Sequence, residues 1–301
     1  MRVATIPLQR TMSDAISRTQ EKLAVTQKRL STGKKSVDFA DLGTETVRNL
    51  SAHTLLARQT AQSTVSKRVE TTLSLYQGHL DGLDSTFSDL RTSILTAIGT
   101  GKAAGLQEQI DAAFSQFRTS VNAMEGGTPL FAGSQTSDLP FAVEKLSDAA
   151  TTPAADAFKD DDVRASARVA DGVDVTYGIT ASDFGKGLYT VFQTLAQAGP
   201  ISGTPDATQM NALKTVVGQL DGGLDSLRSV NADNGRRQNQ VETLTQRGEE
   251  RGVLLNDVIA NNEDADMGQV VVDLSQQMAM LQASYSVFSK LSGLSLASYL
   301  Q

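Results

Sequence analysis

Residues 267–288 read MGQVVVDLSQQMAMLQASYSVF, and this stretch decides the fold because its apolar residues recur at alternating steps of four and three. The recurring residues are Met267, Val271, Leu274, Met278, Leu281, Tyr285 and Phe288. A seven-residue apolar repeat forms the seam of a coiled coil, which is narrower than the apolar stripe of a globular helix. The stretch therefore predicts a helix that requires a partner helix.

The beginning of the chain carries the same repeat. Its members are Met12, Ile16, Thr19, Leu23, Thr26 and Leu30. Gly33 is expected to end this helix, since glycine readily adopts the left-handed conformation of a helix C-cap. Because both ends are predicted to need partner helices, the sequence indicates assembly rather than catalysis. The candidate assembly interface consists of Met12, Ile16, Leu23 and Leu30 together with the seven residues of the C-terminal repeat.

Long helices are also predicted between the two terminal repeats. A second helix runs from 44 to about 98, and its later half keeps the repeat from Val69 to Ala97. At 1.5 Å per residue a helix of that length is ~80 Å long, which predicts a rod. A third helix from Leu106 packs back on the second, and a return helix begins near Asp206.

The helical pattern is interrupted between the third helix and the return helix. Gly126 and Gly127 break it, and prolines follow at intervals. Residues 163–169 and 173–177 alternate apolar and polar, and the intervening Asp171-Gly172 favours a two-residue hairpin turn. We therefore predict a mainly α fold with a small β-containing domain and a long antiparallel helical-bundle or coiled-coil stem formed by the N- and C-terminal segments.

This pattern predicts five segments. They are an N-terminal assembly helix and loop (1–43), the first part of the stem (44–128), a small β-containing outer domain (129–205), the returning stem helix (206–262) and a C-terminal assembly helix (263–301).

Composition excludes several classes of protein. The chain is 40% hydrophobic and 5% aromatic and has no tryptophan, so we expect no large compact core. It has no cysteine, which excludes disulfides and thiol chemistry. Its apolar runs are shorter than the ~20 residues that span a bilayer, and no signal peptide of the usual type is visible. A net charge of −7 argues against nucleic-acid binding.

The charges are unevenly placed along the chain. Residues 1–40 hold eight Lys or Arg against three acids, whereas residues 263–301 hold four acids against Lys290 alone. Two interpretations stay open at this point. The charges belong either to two solvated faces or to terminal helices that lie side by side and use opposite charge to set their pairing.

No catalytic motif has its required context. Gly99, Gly101 and Ala104 follow a helix rather than the strand of a dinucleotide site. The two histidines, His53 and His79, are too far apart on one helix to share a metal ion, and 160–162 lacks the spaced ligands of a calcium loop. We expect neither an enzyme nor a cofactor or metal site.

Three short stretches resemble the flagellin family and, within it, the hook-filament junction proteins. They are RLSTGKK at 29–35, LFAGSQTSDLPF at 130–141, and LQASYSVF at 281–288 followed by GLSL at 293–296. Their order and spacing are more specific than any one of them. The stretch VDFADLG at 37–43 departs from an Asp-Asp-Pro element common in that family, so contacts of that loop are not transferred.

The resemblance implies a flagellin-like subunit that joins the hook to the filament. Its expected partners are copies of itself in a ring or helical assembly, a neighbouring hook-associated protein, flagellin, and an export chaperone that holds the C-terminal segment in the cytoplasm. It implies export through the flagellar type III channel with the ends disordered before incorporation, an extracellular location on the flagellum, and no membrane insertion. A flagellin of the filament itself and, more remotely, a cytoplasmic helical scaffold or adaptor stay open as alternatives.

Overall fold

The computed structural model describes residues 5–36, 43 and 45–297, and the side chains of 7, 10–36, 43 and 45–290. The predicted loop at 37–42 and the extreme ends lie outside the described residues. The elements are α1 (Thr5–Thr32), α2 (Thr46–Thr100), α3 (Leu106–Val121), β1 (Met124–Glu125), β2 (Thr128–Pro129), α4 (Leu146–Ala149), α5 (Ala154–Ala157), β3 (Ser166–Ala170), β4 (Val173–Thr176), α6 (Ala181–Gln197), α7 (Ala207–Glu263) and α8 (Met267–Ala297). The prediction of a mainly α fold with a small β-containing part is confirmed.

The chain divides into two compact units. Unit 1 comprises Met1–Arg58 and Arg251–Gln301, and unit 2 comprises Gln59–Glu250. The divisions fall inside α2 and α7, so each unit contains part of both long helices.

Unit 2 is organised around the apolar repeat of α2. All nine repeat positions are buried, and they are Val69, Leu73, Tyr76, Leu80, Leu83, Phe87, Leu90, Ile94 and Ala97. Within this unit α7 runs antiparallel to α2, because Arg228 Nε donates to Asp84 at 2.7 Å while Arg91 Nε donates to Asp221 at 2.6 Å. The repeat therefore forms the apolar face of a helical bundle.

Phenylalanine side chains fill the middle of unit 2. The ring of Phe117 lies 5.2 Å from that of Phe141, 5.6 Å from that of Phe192 and 5.9 Å from that of Phe87. Phe141 and Phe192 belong to the loop after β2 and to α6, so the non-helical excursion is part of the same core. The expectation that the chain lacks a large compact core is wrong, because its few aromatic residues are concentrated here.

Two small antiparallel sheets form the β-containing part. β3 and β4 make the hairpin predicted at Asp171-Gly172, with Gly172 at φ 72°, and β1 pairs with β2 across Gly126 and Gly127. Met124 lies in β1, beyond the end of α3, and is exposed.

The return helix α7 crosses α6 at a pair of glycines. A Cβ on Gly187 would lie 3.2 Å from the Cα of Gly223, and a Cβ on Gly223 would lie 2.7 Å from a methyl carbon of Leu188. The backbones can therefore approach closely only because both residues lack a side chain. Further along α7, the polar side chain of Asn234 is buried and donates to the Leu73 carbonyl at 2.9 Å.

In unit 1, α1 packs along α8. The two helices are antiparallel, because Gln20 bonds to Tyr285 while Lys34, just after α1, bonds to Asp264, just before α8. We refer to this pair as the terminal hairpin.

Candidate assembly surface

The seam face of α1 is the one that the sequence repeat predicts. Met12, Ile16, Leu23 and Leu30 are half-buried, and the exposed positions lie between them. Thr19 and Thr26 occupy the two intervening seam positions, and each hydroxyl donates to the carbonyl four residues earlier, at 2.8 and 3.0 Å. Such local bonds satisfy the hydroxyl but contribute no contact across the seam.

The seam face of α8 is offset from the predicted repeat. Apart from Asp273, its least exposed positions again lie at steps of four and three, and they are Val270, Leu274, Gln277, Leu281, Ser284 and Phe288. Leu274, Leu281 and Phe288 therefore lie on the face that packs on α1. Gln277 and Ser284 add polar groups to the same face, which leaves the terminal hairpin with an apolar seam that is interrupted on both helices.

The other four predicted residues of α8 are solvent-exposed. Met267, Val271, Met278 and Tyr285 have 41–51% of their surface exposed, and the Tyr285 hydroxyl accepts a hydrogen bond from Gln20 Nε2 at 2.6 Å at the edge of the seam. Val272, Met280 and Val287 are also exposed, by 46–58%. We call these seven residues the outward apolar residues. The structure thus does not bring all the sequence-predicted residues into one contact.

A polar cluster closes the base of the terminal hairpin. The Glu263 carboxylate, at the end of α7, accepts hydrogen bonds from Asn49 Nδ2 and His53 Nε2, both at 2.5 Å, and lies 3.2 Å from Lys34 Nζ. Lys34 also bonds to Asp264 at 2.6 Å. From the sequence, this cluster is indicated only by the opposite charges of the basic residues near 34 and the acids near 263.

Hydrogen bonding overcomes burial at Glu263. Partial burial would raise the pKa of this carboxyl, but the hydrogen bonds from His53, Asn49 and Lys34 favour the charged form and lower the pKa to about 2. The pKa of Lys34 is correspondingly raised, chiefly by its hydrogen bond with Asp264. Both side chains are therefore charged at neutral pH.

The next acid starts α8. Asp266 Oδ1 accepts the backbone N–H groups of Gly268 at 2.9 Å and Gln269 at 3.2 Å. A carboxylate at this position satisfies donors that have no partner inside the helix, and it interacts favourably with the helix dipole. Asp266 thereby fixes the start of α8, three residues after Glu263.

The basic residues of α1 itself do not pair with α8. Arg10, Arg18, Lys22, Lys28 and Arg29 are exposed, and none forms an ion pair within the described residues. Opposite charge therefore acts at the base of the terminal hairpin, through Lys34, and not along its length.

The other candidate groups from the sequence, His79 and the acids at 160–162, have structural contacts. His79 packs edge-on against Phe131 with ring centroids 6.1 Å apart, and desolvation lowers its pKa. Asp161 accepts hydrogen bonds from the backbone and hydroxyl of Ser134, which lower its pKa to about 2. Within 5–36, 43 and 45–297, no group of three or more His, Asp or Glu could hold a metal ion. None of the helices in the same ranges combines the length and the hydropathy that a membrane span requires.

Comparison with known proteins supports the architecture. A protein from Vibrio parahaemolyticus, provisionally named a flagellar hook-associated protein, superimposes with a TM-score of 0.62 over 74% of this chain and 100% of its own, at 15% identity. FlgL of Bacillus cereus superimposes with a TM-score of 0.56 over 70% of this chain and 98% of its own, at 16% identity. The chain shares their fold. No protein-family model matches it, and no curated protein matches it in sequence.

Proposed function

We propose that this chain is a structural subunit of the bacterial flagellum that joins the hook, through another hook-associated protein, to the flagellin filament. It polymerises through its terminal helices and has no enzymatic activity. The fold shared with the two solved proteins supports a structural role in the flagellum, and the sequence resemblance to junction proteins favours the junction over other positions in it.

The observation that carries the proposal is the exposure of the outward apolar residues on α8. α1 covers one face of α8 through Leu274, Leu281 and Phe288, and seven further apolar side chains remain exposed around it. Exposed apolar side chains grouped on one element mark an interaction site, because their burial is favourable by about 25 cal/mol per Å². α8 has apolar residues outside the face that α1 covers. Such a helix is suited to contacts with helices of several neighbours.

The proposal includes partners and a route. Copies of this chain, a neighbouring hook-associated protein and flagellin would contact the assembled subunit, and an export chaperone would hold the C-terminal segment before type III export to an extracellular location on the flagellum. The interrupted seam of the terminal hairpin fits this scheme, because helices that are weakly paired in the free chain can reorganise on docking. The five segments predicted from the sequence, including a small outer domain at 129–205, belong to the same proposal.

A flagellin of the filament is the second candidate, because it would share the fold and the terminal helices. Electron microscopy of a deletion strain separates the two. A junction subunit predicts hooks without filaments in the deletion strain, and immunogold label confined to one narrow band in the complemented strain. Label along the whole filament would support the flagellin alternative, and unchanged flagella would support a cytoplasmic scaffold.

A substitution on α8 tests the assembly surface directly. Met278→Asp puts a charge among the outward apolar residues, whose burial in an assembly would then leave an uncompensated carboxylate. Because Met278 is exposed, we expect the free chain to keep its helix content and its export while incorporation and motility are lost. Gln282→Asp, on an exposed polar position of the same helix, is the matched control. Normal motility with Met278→Asp would contradict the proposed surface.

A further inference from the structure

The Glu263 cluster joins three segments of unit 1 that are distant in sequence. Lys34 follows α1, Asn49 and His53 lie on the first turns of α2, and Glu263 ends α7. All three donors converge on one carboxylate whose side chain is only 14% exposed. Asn49 is fully buried, and its Oδ1 has no partner within the described part of the chain. A single acidic side chain therefore organises the place from which both terminal helices depart.

The backbone makes a second connection at the same place. Lys35 N–H donates to the Glu263 carbonyl at 2.6 Å, and Ala265 N–H donates to the Gly33 carbonyl at 2.8 Å. These bonds form an antiparallel bridge between Lys34 and Asp264. Gly33, at φ 69°, provides the turn that takes the chain from α1 into this bridge. The ends of α1 and α7 are thus held side by side before α8 begins.

Polar connections are sparse along the rest of the terminal hairpin. Within the described residues, the hydrogen bond from Gln20 to Tyr285 is the only one that joins side chains of α1 and α8. Thr19, Thr26 and Gln277 occupy seam positions where an apolar residue would add burial. The free energy that keeps the two helices paired is therefore small, and a change at their base can shift the pairing equilibrium.

We propose that the Glu263 carboxylate is a latch that sets how far the terminal hairpin is ordered in the free chain. With the carboxylate charged and bonded, the segments beside α1 and α7 are fixed and the two terminal helices start from aligned positions. Removal of its charge weakens the hydrogen bonds from His53 and the buried Asn49, because bonds to a charged acceptor are stronger than bonds to a neutral one, and it ends the ion pair with Lys34, which keeps only Asp264. The base of the terminal hairpin is then less firmly closed. The inference concerns the free chain and does not depend on the flagellar proposal.

Hydrogen exchange on the purified full-length chain tests the latch. Glu263→Gln keeps the shape of the side chain and removes its charge. We expect the amides of α1 and α8 to exchange about tenfold faster than in the unsubstituted chain, which corresponds to a factor of ten in the opening equilibrium, while the amides of α3 and α6 keep their rates. Asp257→Asn is the matched control, because it removes the same charge from an exposed position of α7.

The competing outcomes are distinct. Equal rates in Glu263→Gln and Asp257→Asn would overturn the latch, as would terminal helices that exchange at the unprotected rate already in the unsubstituted chain. Faster exchange spread equally over α3 and α6 would also overturn it, because it would indicate general destabilisation. If Glu263→Gln does not fold, Lys34→Met removes one donor from the charged carboxylate and should accelerate the same two helices by a smaller factor. Unchanged exchange in Lys34→Met would then reject the proposal.

Discussion

Unit 1 and unit 2 use their apolar residues in opposite ways. Unit 2 contains eight of the ten phenylalanines and buries its apolar repeat in a continuous core. Unit 1 carries repeats of the same spacing but leaves many of its apolar side chains exposed, including Val47 by 75% and Leu254 by 65%. The same sequence pattern thus stabilises unit 2 internally and leaves much of the apolar surface of unit 1 uncovered.

Charge distinguishes the two units in the same sense. Unit 2 carries 24 Asp and Glu against 15 Lys and Arg, a net charge of −9, whereas unit 1 carries 10 against 12, a net charge of +2. A net charge of −9 opposes the close approach of two copies of unit 2, whereas such repulsion is weak for the nearly neutral unit 1. Because unit 2 has a continuous apolar core and unit 1 does not, we expect core substitutions in unit 2 to have large effects on stability. Single substitutions in the free terminal hairpin should have small effects.

The largest effect is expected at the aromatic centre of unit 2. Phe117→Ala removes a fully buried ring that packs against three others, and such truncations cost about 3–5 kcal/mol because a cavity remains. Urea unfolding followed by circular dichroism measures the loss. A cost below about 1 kcal/mol would show that unit 2 does not depend on this core and would remove the contrast between the units.

A smaller effect is expected where α6 crosses α7. Gly223→Ala places a Cβ against Leu188 and the Gly187 backbone, which should cost about 1–3 kcal/mol through overpacking. Gly222→Ala is the matched control, since a Cβ there meets nothing within 4 Å, and alanine in an exposed helix position should gain up to ~1 kcal/mol. The same urea titration applies to both. If the two substitutions change stability in the same direction, the close approach of the helices is not what requires glycine.

The long helices and the β3–β4 hairpin could be predicted from the sequence because each is specified locally. Alternation in steps of four and three defines α2, and Asp171-Gly172 between alternating segments defines the hairpin turn. The core of unit 2 was underestimated because composition averages over the chain. Eight phenylalanines placed together can form a core that a 5% aromatic content does not suggest.

The candidate site was less predictable for two physical reasons. α8 is apolar around more than one face, so its pattern fits more than one seam, and the sequence could not choose between Val271 and Val270 as the buried position. The Glu263 cluster joins side chains more than 200 positions apart, and Asn49 has no charge to signal its part. The assignment of assembly residues accordingly stays a prediction, to be tested through α8.

The pH dependence of unit 1 should report on Glu263. Its pKa in the folded chain is lowered to about 2 from an ordinary 4.5, so its contribution is fully present above about pH 4.5 and is lost as the pH falls towards 2. The charged or titratable groups that face it are Lys34, His53 and Asp264. With allowance for screening by solvent, we expect the charge of Glu263 to contribute about 1–2 kcal/mol to the free energy of unfolding of unit 1.

The measurement is the urea dependence of the NMR signals of α8 at several pH values. The difference between the unsubstituted chain and Glu263→Gln should be present at pH 5 and shrink below pH 4. A difference that is the same at pH 7 and pH 3 would show that the charge of Glu263 does not stabilise unit 1.

The smallest effect decides which face of α8 packs on α1 in the free chain. Leu281 is half-buried in the terminal hairpin, so Leu281→Ala should lower the stability of α8 by about 1 kcal/mol, below the cost at a fully buried site. Met278 is 51% exposed, and Met278→Ala should change it by less than ~0.5 kcal/mol. Leucine and methionine have similar helix propensities, so the pair differs mainly in burial. Equal losses in the NMR titration would favour the seam with Met267, Val271, Met278 and Tyr285 in the free chain. Because a partner would cover the outward apolar residues, Met278→Ala should weaken assembly even where it leaves the free chain unchanged.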